Sequence, residues 1–492
     1  MAAISKLYKQ LADRVDIPFL LFLITISSNK VVLKVAALVL IFALRPKFEI
    51  AILKKLPLFY PLIIGLATLQ FLLVGGDFSS IHFLVFGVGC LYWTICYAYM
   101  YQARVFVEEN THEKIDRTLL VYILLNAVAC LYNYFDICVK AETLFPFLQF
   151  PGNYGASTGD YICGLFGVPS YMNAIVNSLF ALYFLHRKKM WLFLITTFVM
   201  LLSFANIINL VFVFVLLVYA LFAGDNRKRA FIGLNLLLCF AMYFYVSPDN
   251  YNYIKKTIGL SVHEEREIMP EVVMVKPGAV DTVEGPLAVK YVNDSSAAKQ
   301  KIRMIDRNLL FHRDYSTYNT YAPVDITKSP GKKIAILQTI NFLRNNKDAL
   351  FVGAGIGNFS SRLAYQFSGR DSSRLFMKLP KYAHGYYFQN NLLIYDSMRQ
   401  LPTEYHSIKH FPNNFFSQLL GEYGLLGAIL FFVFYVAYFY KRAPHKTFFF
   451  MLALCVASYL MLDYLFEFFN VMMIFELFLF IDAKADEKSM VS

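Results

Sequence analysis

Residues 406–427 read HSIKHFPNNFFSQLLGEYGLLG, and here a long polar stretch gives way to apolar sequence of membrane-spanning length. Pro412 favours an extended Phe411 and a helix that starts just beyond it. Asn413 and Asn414 are good N-cap residues, so the free N–H groups of that helix face the border between the two stretches. A helix end in that position suits a phosphate as well as it suits a capping side chain. Gly421, Gly424 and Gly427 recur every third residue, a small-residue stripe that lets another helix approach closely. The stretch reads either as a capped membrane helix or as a capped helix that also holds an anion.

Composition agrees with the apolar half of this reading. Of 492 residues, 58% are hydrophobic and only 16% charged, whereas soluble domains carry roughly a quarter charged residues. Apolar runs of spanning length recur along most of the chain, which predicts an all-α polytopic membrane protein. The formal charge of +12 fits cytoplasmic loops and contact with anionic lipid or phosphate, and no nucleic-acid partner is expected. The seven cysteines lie in or beside apolar segments without CxxC pairing. They read as packing residues, and no metal site is expected. Lys6, Lys9 and Arg14 before the apolar run at Ile17 mimic a signal peptide, but no small-residue cleavage site follows, so a retained first helix is expected.

Outward from the opening stretch, the apolar runs order themselves. Residues 17–27 and 31–44 form a short hairpin that turns at Asn29 and Lys30, with Lys34 expected to snorkel to the interface. Spans follow at 56–74, 81–101, 118–138 and 169–186, then in a run from 190 to 222 broken near Ser203, Asn206 and Asn209, then at 230–246. Hydropathy collapses from Pro248 to Pro412, a loop long enough to be a domain. Helix 414–440 follows, and 447–481 reads as a hairpin with Asp463 and Glu467 near its middle. Basic clusters at 45–55, 187–189, 227–229 and 441–446 fall on one side, which predicts about twelve transmembrane helices, both termini cytoplasmic, and one large periplasmic loop between helices nine and ten. The expected divisions are a membrane domain over 1–247, the loop domain over 248–412, the last membrane helices over 413–481 and a cytoplasmic tail over 482–492.

Several groups have the chemistry for a site. Lys299, Arg303 and Arg307 stand four residues apart on a plausible loop helix, and guanidinium forks match diphosphate oxygens. A solvated basic face produces the same pattern. The segment 331–346, GKKIAILQTINFLRNN, predicts an amphipathic helix with Ile334, Leu337 and Ile340 on one face. GAGIGNF at 353–359 predicts a tight glycine turn without dinucleotide-fold spacing, after which Asn358 is expected to cap a short helix through Phe367. His384, His406 and His410 stand among tyrosines and suit either a general base or plain interfacial packing. Asp463, Glu467 and Glu476 are intramembrane acids, which call for function or a buried partner. Asn126, Asn133, Asn173 and Asn177 suit interhelical hydrogen bonds.

PNNFFSQLLGEYGLLG, with Asn414, Glu422, Gly424 and Gly427 at its key positions, resembles the carboxy-terminal signature of the O-antigen ligase and O-antigen polymerase superfamily of bacterial membrane glycosyltransferases. GAGIGNF resembles that family's glycine turn, and GVPSYMNA at 167–174 resembles, more weakly, its Pro-Asn segment. The resemblance implies a polyprenyl-diphosphate-linked glycan as donor and a growing glycan, or lipid A core for a ligase, as acceptor. It implies transfer at the periplasmic face of the bacterial inner membrane, among membrane lipid, with no cofactor. It also implies a diphosphate held by Arg303, Arg307, Lys332, Lys333 and Asn206, and catalysis at His410, Asn413 and Asn414. The family's signature histidine falls at Asn413 here, and its arginines fall at Asn206 and at Lys332 or Lys333. Either His410 takes the base role, or the chemistry leans on phosphate binding, or activity is impaired. A lipid-linked oligosaccharide transporter and a non-catalytic glycan-lipid-binding relative are the readings from other classes.

Overall fold

The computed structural model describes residues 14–144, 162–247, 331–370, 378–400 and 411–489, with breaks at 29, 46–47, 75–78, 168 and 223–224, and isolated pieces at 146–149, 251, 292–293, 300–301 and 408. Their regular structure is helical apart from one two-residue antiparallel ladder, Val292–Asn293 with Gln300–Lys301. The membrane-type helices are α1 (Ile17–Ser27), α2 (Val31–Leu44), α3 (Phe59–Val74), α4 (Ser80–Glu109), α5 (His112–Lys140), α6 (Ser170–His186), α7 (Met190–Leu202), α8 (Asn206–Phe222) and α9 (Asn226–Ala241). The polar stretch supplies α10 (Gly331–Asn345), α11 (Lys347–Val352), α12 (Arg362–Phe367) and α13 (Leu393–Gln400). Then come α14 (Phe415–Phe431), α15 (Lys446–Leu460) and α16 (Asn470–Ser489).

Among the described residues, four helical stretches are long and apolar enough to cross a membrane: Ser80–Glu109, His112–Lys140, Asn226–Val246 and Phe415–Arg442. Several shorter apolar helices accompany them. The distribution of side chains is that of a protein solvated by lipid. Leu73, Trp191 and Leu221 are 73%, 75% and 77% exposed, while Lys34, Asn126, Asn173, Glu422 and Glu476 are buried. Water would reverse that preference; an apolar solvent produces it.

The helix ends follow local chemistry. Asp16 caps α1 through Phe19 N, Thr111 caps α5 through Lys114 N, and Asp225 caps α9 through Arg227 N. The long apolar run breaks after Leu202 as expected, and Phe204 there adopts a positive φ of 42°. The asparagines interlock: Asn126 Nδ2 donates to Asn173 Oδ1 at 2.9 Å, Asn177 Nδ2 donates to the same oxygen at 2.7 Å, and Asn133 Oδ1 accepts from Gly164 N at 2.9 Å.

One end of the bundle is ionic. Arg45 bridges Asp16 and Glu109, at 2.9 and 3.0 Å, and Lys55 reaches Glu108 at 3.2 Å. Lys484 donates to the carbonyls of Val107, Glu108 and Asn110. Asp116 receives Lys189 at 2.7 Å and Arg187 at 3.5 Å, and Lys188 faces Asp225 at 3.5 Å. Basic segments far apart in the chain therefore meet at one end, as a one-sided charge distribution requires.

The glycine stripe of α14 receives a short helix, α11, at Gly424 and, with it, the glycine turn that follows. At Gly424 the helix is kinked, with φ 62° and ψ −160°. The carbonyls of Gly421 and Glu422 instead accept from Ala354 N at 2.8 Å and Gly355 N at 3.0 Å, and Gln70 Nε2 adds a bond to Glu422 O at 2.9 Å. A Cβ on Gly353 would lie 2.3 Å from Glu422 C, and one on Gly424 would lie 2.5 Å from Phe351 C. The glycines thus let the 353–359 turn dock backbone to backbone on the kink.

Three local expectations give way to tertiary packing. Lys34 does not snorkel: it is buried, with Nζ donating to Phe468 O at 2.6 Å. Leu337 and Ile340 are exposed, and α10 buries Ile334, Ala335, Gln338, Thr339 and Phe342 instead. Ser361 rather than Asn358 caps α12, because Asn358 Nδ2 is bonded to Ala354 O at 3.0 Å inside the turn.

Replacing Gly424 with Ala combines a disfavoured φ with a backbone clash, so Gly424→Ala is expected to cost at least about 2 kcal/mol in thermal unfolding of the detergent-solubilised protein. Gly65, in α3 with open space around it, is the control, and Gly65→Ala is expected to be neutral or to stabilise by up to about 1 kcal/mol. Equal melting shifts for the two variants would refute the docking role.

Candidate functional site

The helices α15 and α16 form the expected hairpin, and its tip, residues 461–469, is not helical. With 15 residues, α15 rises about 22 Å, and the part of α16 from Asn470 to Asp482 rises about 18 Å. Both are shorter than a hydrocarbon core of about 30 Å. Since Asp482 lies at the ionic end, the tip is recessed. The aromatic core closes around it: the Phe466 ring lies 4.5 Å from that of Phe415, 5.4 Å from Tyr435 and 5.9 Å from Phe59.

Irregular backbone at such depth leaves carbonyls that must find donors. Cations from three distant parts of the chain provide them. Lys332 Nζ donates to Leu462 O and to Asn413 O. Arg362 Nη1 reaches Glu467 O at 3.5 Å, and its guanidinium stacks 4.0 Å from the Phe468 ring centroid. Lys34 takes Phe468 O and lies 5.3 Å from the Phe469 ring centroid.

The acids of the tip are engaged as well. Tyr171 Oη donates to Asp463 Oδ2. Glu467 Oε2 accepts from Arg362 N at 2.5 Å, so this carboxylate sits at the start of α12. Tyr464 Oη and Ser360 Oγ share a hydrogen bond of 2.9 Å. Glu476 lies deeper, accepting from Tyr60 and Tyr435 at 2.7 Å each. Lys332 belongs to the loop helix α10, where burial pushes its ammonium down to about 7 against the opposing pull of Asp463. Three cations, Lys34, Lys332 and Arg362, thus stand with three acids, Asp463, Glu467 and the neighbouring Glu422, at the seam between the polar stretch and the bundle.

The residues singled out from sequence divide among several places. Lys332 is at the seam, and Asn413 contributes its carbonyl there. Asn414 is a cap with its side chain fully committed: Oδ1 accepts from Ser417 N at 2.7 Å, and Nδ2 donates to Ser417 Oγ and Pro412 O. Lys333 is exposed on α10, and Asn206 opens α8 after its break. Glu422 is buried at the kink, where Oε1 meets Phe359 N at 3.5 Å, and Gly427 packs against its own Tyr423. His384 caps a helical turn, accepting from Tyr386 N at 3.2 Å. Arg303, Arg307 and His410 lie outside the described residues, as do Lys299 and His406. Sequence reading passed over Arg362 and misjudged Lys34. The only hint for Arg362 was its place three residues beyond the glycine turn.

Fold and site together define an all-helical membrane protein whose charged groups gather at a recessed hairpin tip. No family model, curated protein or solved structure matches this chain.

Arg362 and Glu467 act on one another, so the effects of Arg362→Met and Glu467→Gln on thermal stability are expected to be non-additive, with a coupling of about 1–3 kcal/mol. Additive melting shifts in a double-mutant cycle would show the two groups to be independent.

Proposed function

We propose that this chain polymerises polyprenyl-diphosphate-linked oligosaccharide repeat units, of O-antigen, capsule or exopolysaccharide type, at the periplasmic face of a bacterial inner membrane. The observation that carries the reading is Lys332, a loop cation seated on the carbonyls of Asn413 and Leu462 beside Asp463. A donor of this class is amphiphilic: its diphosphate needs cations at the membrane border, and its tail needs an apolar path. The seam offers the cations, and the exposed leucines and phenylalanines of the bundle offer the path. This topology has about twelve spans with the 248–412 loop outside.

In this reading an acceptor hydroxyl attacks the anomeric carbon of the donor sugar. The bond from that carbon to the phosphate oxygen breaks, and the polyprenyl diphosphate leaves with the bonding pair. Lys332 and Arg362 stabilise the charge that develops on the leaving oxygen. A single base takes the hydroxyl proton: Asp463 or Glu467 at the tip or, in their place, His410, which stands three residues before the position where the resemblance expects a histidine. No nucleotide or metal enters the balance.

Deleting the gene and separating the surface polysaccharide on a gel tests the assignment. Single capped repeat units are expected. Polymer stranded on its lipid carrier would point to a ligase, and a normal ladder would overturn both. For the site, Lys332→Ala, His410→Ala and Arg303→Ala are each expected to shorten or abolish the ladder at unchanged membrane abundance. In reconstituted protein, donor binding without chain extension would favour a non-catalytic relative.

The pH dependence has a defined sign. A lysine that titrates at about 7 loses its charge as pH rises, so apparent donor affinity is expected to weaken from about pH 7 towards 9. Lys332→Arg stays charged throughout and is expected to flatten that profile. An unchanged slope in Lys332→Arg would remove Lys332 from the diphosphate site.

A further inference from the structure

At the ionic end, away from the recessed tip, three helices bring together side chains that no sequence spacing connects. His186 is the last residue of α6, His445 stands at the N-cap of α15, and Asp482 lies on α16. His445 Nδ1 is 2.8 Å and His186 Nε2 3.3 Å from the same oxygen, Asp482 Oδ1, and all three potential ligand atoms lie within 4.8 Å of one another. We propose that His186, His445 and Asp482 bind a divalent transition-metal ion of the zinc type.

The arrangement is lopsided for a hydrogen-bond network. Two imidazoles converge on one carboxylate oxygen, while the other, Oδ2, is buried without a hydrogen-bond partner among the described residues. The Asp482 side chain is only 2% exposed, so water does not solvate that oxygen freely, and an unpaired buried acceptor is costly. A cation held by both carboxylate oxygens would engage Oδ2 as well, and each imidazole would offer it a lone pair.

The geometry is close to what such an ion requires. Bonds of about 2.0–2.2 Å place ligand atoms about 3.4 Å apart around a tetrahedral centre, and the two nitrogen-to-oxygen distances are already near that. Rotation of the half-exposed His445 ring brings in the third. The His186 ring is held by stacking on Phe448, at 4.2 Å between centroids and 12° between planes, which fixes the direction of its nitrogens. Two nitrogens and one carboxylate suit zinc, cobalt or nickel rather than magnesium or calcium, which take oxygen ligands.

Of the basic residues nearby, Arg187 and Lys189 pair with Asp116, Lys188 faces Asp225, and Lys446 donates to Tyr440 O and lies 4.4 Å from its ring centroid, while Lys228 lies 5.9 Å from the Tyr219 ring centroid and adds positive charge near His186. His445, with its side chain 55% exposed, gives the ion a route from solvent. Three protein ligands leave a fourth position for water. Bound there, the ion ties the ends of α6, α15 and α16 together and steadies the base of the hairpin whose tip forms the site.

The test uses the full chain, purified in detergent and stripped with a chelator. Titration with Co2+ is expected to give saturable visible d–d absorption at one ion per chain, displaced by Zn2+ and not by excess Mg2+. Zinc is expected to raise the melting temperature, as any ligand of the folded state alone does. His445→Ala changes a half-exposed residue, so it is expected to keep the metal-free melting temperature while weakening Co2+ binding at least about tenfold. His186→Gln is expected to weaken it likewise. Absence of a saturable Co2+ spectrum in the unaltered protein, or unchanged affinity in both variants, would overturn the site.

Discussion

The structure depends on one constraint: a stretch of irregular backbone, 461–469, is buried apart from the exposed Met461 and the half-buried Phe468. Each unpaired carbonyl in apolar surroundings costs several kcal/mol, so a hairpin tip at that depth persists only if donors are brought to it. The donors are Lys34 from the second helix, Lys332 from the start of α10 and Arg362 from the start of α12. Their separation in sequence is what matters. Because the tip recruits residues from the polar stretch, 331–370 is held against the membrane helices and is part of the same core.

The kink in α14 solves the complementary problem. The 353–359 turn has amides without secondary-structure partners, and α14 at Gly424 gives up the helical path and frees the carbonyls of Gly421 and Glu422. Loop amides meet helix carbonyls at one seam, and loop cations meet tip carbonyls at the other. The two irregular segments therefore complete each other's hydrogen bonding, and the positive φ angles at Gly353, Gly355, Gly357 and Gly424 are where the close approach concentrates its strain.

Whatever a residue's near neighbours decide was legible in the sequence. The hairpin at 447–481, the break after Leu202 and the Asn414 cap follow from rules that reach three or four residues, and the asparagines were legible as polar residues on apolar helices, which must find partners. What failed depended on distant partners. Lys34 looked like a snorkelling lysine because its acceptor lies 434 residues away. The glycine stripe read as a helix-packing motif, and α11 does meet it at Gly424, but nothing local showed that a turn about sixty residues earlier also docks there. Leu337 and Ile340 fit a helical period, yet the buried face of α10 is set by which side meets the bundle. Arg362 offered no hint beyond its place after the glycine turn, and no spacing connects His186, His445 and Asp482 at the ionic end.

The charges at the tip bear on whether it is only a structural clasp. An ammonium has three donors, and Lys332 spends two on Asn413 O and Leu462 O, which leaves one without an acceptor among the described residues. Carbonyls are dipoles and do not neutralise the charge they accept from, and Asp463, which does, is already held by Tyr171. That incomplete compensation is why burial prevails and the ammonium titrates near 7. An anion arriving at the seam would occupy the third donor and restore the charge balance, with proton uptake by Lys332 as part of its binding.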